Sequence, residues 1–208
     1  FFPKYGPAVR WGAMVFFWVA LTAVIFGFTN LIYKKYGGKE NCDLGFRSYP
    51  ATKTVLGFVF CYPAFFVFAA VVGIWISYVL FVAGFYPQTQ QIVEDMMNAG
   101  GGQSFYIMAI FGVVVAPLRE EFVFRSIGYS AMRKHMSMPK AVFYNALIFA
   151  GIHFQLSVLV PLFFVGAILA LLYEWTQSYW VCVGFHFLHN AVNVVLIYLT
   201  THGYVGAF

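Results

Sequence analysis

Charge is what this sequence has least of. Only 9% of its 208 residues are charged, against 62% hydrophobic, where a soluble globular domain carries about 25% charged residues. So few charges cannot tile a water-facing surface, so most of the exterior must face lipid. Cysteine is scarce too. Cys42, Cys61 and Cys182 are far apart and odd in number, which argues against a disulfide framework and a CxxC metal knuckle. There is no GxSxG nucleophile elbow and no HExxH zincin motif. No internal repeat and no second domain are evident, so residues 1–208 are expected to form one membrane domain. The net charge of +5 implies no nucleic-acid partner, because most of the bases sit in loops beside apolar runs, where they set topology and meet headgroups. The chain opens at Phe1 rather than methionine, so the native N-terminus is expected upstream and no signal-peptide argument is made.

What is abundant is long apolar sequence. A bilayer core needs about 20 apolar residues in a helix. On that measure the fold class is all-α, a polytopic transmembrane helical bundle of about six spans. The expected spans run from about Trp11 to Tyr33, Thr54 to Phe85, Phe105 to Met132, Ala141 to Phe154, Leu156 to Trp175 and Tyr179 to Leu199. The fourth is short. The second is long and holds Pro63, which predicts a kinked, tilted or split helix. Between the second and third, residues 87–103 hold an expected short interfacial helix followed by a flexible hinge at Gly100, Gly101 and Gly102. Lys34, Lys35, Lys39, Arg47 and Lys53, together with Arg133, Lys134 and Lys140, mark one side as cytoplasmic and put both ends of the chain outside.

Against that background the polar residues inside the spans carry the information. A charge at a helix centre costs about 2.5–3.5 kcal/mol on insertion scales, so it marks function by default. The third span carries Arg119, Glu120, Glu121 and Arg125, the fourth His153, and the sixth His186, His189, Asn190 and Asn193. At about 1.5 Å of rise per residue, Glu120 and His153 lie roughly 18 Å from the cytoplasmic ends, and His186 and Asn190 roughly 10–17 Å. Three helices thus offer polar groups at overlapping depths, as a converging site requires.

Spacing within the helices agrees. Glu121 and Arg125 share a face, as do Phe149 and His153, and His186 and Asn190. Glu120 has no partner four residues away on its own helix. Plainer readings stand beside these. Arg119 neutralises its neighbours, Glu121 with Arg125 is a structural ion pair, His186 with Asn190 or His189 with Asn193 joins helices, and Glu174 is interfacial. Chemically, a carboxylate with a histidine can activate water and protonate a leaving amine. A second histidine and an amide can stabilise an oxyanion. Glu120, His153 and His186 are also acceptable zinc ligands.

Three segments together resemble a known family. Residues 116–125, Ala-Pro-Leu-Arg-Glu-Glu-Phe-Val-Phe-Arg, resemble the EExxxR motif of the CAAX protease and bacteriocin-processing family. Phe149 to His153 is similar to its FxxxH motif and His186 to Asn190 to its HxxxN motif, in the same order, within a stretch from about Phe105 to Leu199 that would be the catalytic core. The family includes type II CAAX prenyl proteases and enzymes of peptide maturation and bacteriocin immunity. The resemblance implies a glutamate-dependent intramembrane endopeptidase without a metal, acting on membrane-anchored or lipidated peptides. Glu120, assisted by His153, would activate water. His186 and Asn190 would form the oxyanion site, and Glu121 and Arg125 would brace the helix. The alternatives are a zinc-dependent membrane metalloprotease and a non-catalytic membrane immunity or scaffold protein that binds a peptide in the same cavity.

Overall fold

The computed structural model describes residues 44–85 and 90–205, with isolated helical positions between Val9 and Gly27. The first expected span, about Trp11 to Tyr33, therefore lies largely outside the described residues, as does Cys42. Among the described residues helix is the only regular structure. In chain order the helices are α1 (Ala51–Val82), α2 (Gln91–Ala99), α3 (Gln103–Ile110), α4 (Ala116–Glu121), α5 (Ser130–Arg133), α6 (Met138–Gly151), α7 (Leu156–Thr176) and α8 (Tyr179–Thr201). Two π-helical segments, Phe111–Val115 and Phe122–Tyr129, join α3 to α4 and α4 to α5. The third expected span is thus one unbroken helical run from Gln103 to Arg133 that changes pitch four times, into and out of each π-helical segment. Helices α1, α7 and α8 are long and apolar enough to cross a bilayer, and the protein is an integral membrane protein.

Local chemistry explains most of the element ends. Helix α1 continues through Pro63, so the span is not split; membrane helices tolerate proline because their surroundings re-satisfy the freed backbone groups. Helix α2 fills the place of the expected interfacial helix. It stops at Gly100 and Gly101, whose φ angles of +54° and +79° are left-handed and suit glycine. Helix α6 is 14 residues long, which gives about 21 Å against a hydrocarbon core of about 30 Å. It ends at Gly151, three residues before the expected boundary at Phe154.

The chain divides into two compact units. One holds Gln91–Arg119 and His186–Phe208 together with Phe1–Asp43; the other holds Leu44–Gln90 and Glu120–Phe185. In the first, Met96, Phe105 and Met108 form a buried cluster packed by Val194, Ile197 and Tyr198. In the second, α6 and α7 form a tight hairpin. Ala146 and Ala150 on α6 and Ala170 on α7 are fully buried. A Cβ added at Gly166 would lie 3.0 Å from Phe149 and 3.1 Å from the Ala146 backbone. Small residues at four-residue spacing let the two backbones approach, which is how helices associate where lipid is as apolar as leucine. The extended segment 44–50 is strapped to the start of α8. Tyr179 donates its backbone N–H to the Gly45 carbonyl at 2.8 Å, Ser178 Oγ donates to the Arg47 carbonyl at 2.7 Å, and the Phe46 ring meets Tyr179 edge-on at 5.1 Å.

The hairpin gives a direct test. Gly166→Leu should lower stability by about 1–3 kcal/mol through overpacking, read as a lower melting temperature in detergent. A variant that melts with the wild type would show that α6 and α7 do not pack this closely.

Candidate active site

The helix that carries the paired glutamates is irregular on both sides. Helix α4 holds Glu120 and Glu121 between the two π-helical segments. In such segments the backbone bonds reach one residue further than in an α-helix, and they occur often at functional sites. Ala116 N–H bonds to the Phe111 carbonyl in this pattern. The next carbonyl, Gly112, would need the N–H of residue 117, which is proline and has none. Asn190 fills the gap: its Nδ2 donates to the Gly112 carbonyl at 2.7 Å. A backbone acceptor left unpaired in a buried setting is costly, so the side-chain amide completes the ladder that Pro117 interrupts.

In the unit that contains Glu120, Glu121, Arg125 and His153, the charges are deeply buried. Glu121 and Arg125 have no exposed surface, and Glu121 Oε2 lies 3.0 Å from Arg125 Nε. Arg125 Nη1 donates to Asn145 Oδ1 at 2.9 Å, and its guanidinium carbon sits 4.9 Å from the centre of the Phe149 ring. Glu121 therefore has the ion pair expected for it. Glu120 is buried, at 8% exposure.

His153 differs in setting from the expectation. It stands in the turn after α6 rather than within the helix. Its Nδ1 lies 2.9 Å from the Phe149 carbonyl. A carbonyl only accepts, so Nδ1 carries the proton, and in the neutral ring Nε2 holds the lone pair. The His153 and Phe149 rings lie 5.3 Å apart, so Phe149 neighbours both Arg125 and His153.

The other unit holds His186 and Asn190. His186 is buried, at 4% exposure. The neighbouring pair behaves as a local one: Asn193 Nδ2 donates to the His189 carbonyl at 2.8 Å and lies 3.3 Å from His189 Nε2.

Two groups escaped the sequence reading. Asn145 is 1% exposed. Besides accepting from Arg125, it donates through Nδ2 to the Phe124 carbonyl at 2.9 Å. Its signal was a lone amide on an apolar helix, four residues before Phe149 and eight before His153. The second group centres on Glu174, which had only an interfacial role in the sequence reading. Arg133 donates to both of its oxygens at 2.9 Å, and Tyr129 Oη donates at 2.9 Å. No spacing rule could find a partner 41 residues away.

Residues 102–192 match the model of the family described as type II CAAX prenyl endopeptidase Rce1-like. The chain is also 27% identical over 121 residues to the Bacillus subtilis (strain 168) protein named "Putative membrane peptidase YdiL", covering 58% of this chain and 48% of that protein. It thus spans about half the length of that curated relative. No solved structure matches it.

The proline gap makes a prediction of its own. Asn190→Ala should cost about 1–3 kcal/mol by orphaning the Gly112 carbonyl. Pro117→Ala in that background should recover part of the loss, because it returns a backbone N–H. Thermal unfolding of the two single variants and the double variant measures the coupling; strictly additive losses would rule out the shared role.

Proposed function

We propose that the chain, whose residues 102–192 match the type II CAAX prenyl endopeptidase Rce1-like family, hydrolyses a peptide bond in a membrane-anchored or lipidated peptide. What supports the reading is a pair of adjacent buried carboxylates inside the matched segment, Glu120 at 8% exposure next to Glu121, which is fully buried against Arg125. Glu120, beside it, is the general base. It takes a proton from water, and the resulting hydroxide attacks the scissile carbonyl carbon. The tetrahedral oxyanion collapses, the carbon–nitrogen bond breaks, and the proton goes to the leaving amine. The sum is one water consumed, one carboxylate and one amine released.

His153 assists through Nε2, the nitrogen left with a lone pair by the bond from Nδ1 to Phe149. It orients the water and passes the proton on. His186 and Asn190 serve the oxyanion. An amide nitrogen has two N–H groups; one from Asn190 goes to Gly112 and the second serves the substrate. A dry, preorganised pair of donors is the larger part of the catalytic effect in such sites. Glu121 and Arg125 hold the helix in place. The proposed chemistry uses protein groups and water alone, and a zinc ion on Glu120, His153 and His186 is the competing reading.

The test uses purified protein in phosphatidylcholine vesicles with two fluorogenic peptides, one farnesylated on a cysteine near its C-terminus and one spanning the bilayer without a lipid. Cleavage of at least one is expected. Glu120→Gln and His153→Ala should each reduce kcat by at least about 10²–10⁴-fold without lowering the melting temperature. EDTA should leave the rate unchanged. A wild type inert to both peptides, or a Glu120→Gln variant of normal activity, overturns the mechanism. Stoichiometric zinc with activity lost on chelation selects the metal alternative.

A further inference from the structure

We infer that Asn145 is a positioning residue for this site, holding Arg125, and through it Glu121, against α6, the helix that leads into the turn carrying His153; the inference rests on the hydrolytic reading above. Asn145 is 1% exposed in the middle of an apolar helix. Burying an amide is costly unless both of its ends are bonded, and here both are. Oδ1 accepts from Arg125 Nη1 at 2.9 Å, and Nδ2 donates to the Phe124 carbonyl at 2.9 Å. The guanidinium can only donate and the carbonyl can only accept, so the amide fits in one orientation. It grips the π-helical segment Phe122–Tyr129 twice, once by its backbone and once by its arginine. A Cβ added at Gly128 would come within 3.5 Å of Asn145 Nδ2, so the approach is close.

The grip is connected to the histidine. Asn145, Phe149 and His153 follow one another at four-residue spacing. Arg125 lies over the Phe149 ring, and the Phe149 carbonyl fixes His153 Nδ1. A shift of Arg125 is therefore felt at Glu121 on one side and at the Phe149–His153 pair on the other. Simple packing would not require an amide here, since a leucine fills a similar space. What leucine lacks is the acceptor for Arg125.

Activity and stability separate the two roles. Asn145→Asp keeps the oxygen facing Arg125 and adds a buried carboxylate, so it should melt lower than Asn145→Leu. Yet it should be the more active of the two. With the same two peptides, kcat should fall about 100-fold in Asn145→Leu and about tenfold in Asn145→Asp, at KM within about twofold of wild type, as expected when reacting groups are misplaced by about 1 Å. A merely structural role predicts that kcat follows the melting temperature. That order, or an Asn145→Leu variant with normal kcat beside an active wild type, overturns the inference alone. A wild type inert to both peptides overturns the hydrolytic reading and the inference with it. Should the Asp variant not fold, Asn145→Gln, which keeps both amide ends, replaces it and should likewise exceed Asn145→Leu in kcat.

Discussion

An arginine with no exposed surface constrains everything near it. Arg125 sits inside an integral membrane protein at 0% exposure, and a buried guanidinium without a counter-charge would cost several kcal/mol. Three neighbours face it. Glu121 supplies the charge, Asn145 a neutral acceptor and Phe149 an aromatic face. These neighbours come from separate segments, so satisfying the arginine also fixes how the glutamate-bearing helix meets α6. Close packing of α6 on α7 through Gly166, Ala146 and Ala170 then holds α6 itself.

Charge neutralisation of this kind offsets the cost of burying a carboxylate. Here Glu121 lies directly against the arginine, with Glu120 buried beside it in the chain. The same economy appears at His153, where the carbonyl of Phe149 holds one ring nitrogen and decides the role of the other.

Much of this was legible in the sequence, and the failures share a cause. Apolar run length located α1, α7, α8 and the run from Gln103 to Arg133 to within a few residues, because the bilayer sets a length that composition reveals. Four-residue spacing found the Glu121–Arg125 pair. The two π-helical segments were invisible, since apolar sequence looks the same whether a turn holds three or four residues and a fraction more. Asn145 carries no charge, so its burial costs less than that of an ionisable group and leaves a fainter mark in the sequence. Glu174 was read as interfacial because its partner Arg133 lies far away along the chain. His153 was placed within a helix because nothing in the letters around Gly151 marks where α6 stops. Long-range partners and changes of helical pitch are tertiary facts.

The bond between Asn190 and the carbonyl above Pro117 has a consequence for how such a chain can drift. With proline in place, the amide is indispensable twice over, once to the backbone and once to the proposed chemistry. A lineage that lost Asn190 first would carry an orphaned acceptor, whereas one that replaced the proline first would bear the later loss more lightly. The order of substitutions is therefore not symmetric, and the proline acts as a historical latch on the asparagine.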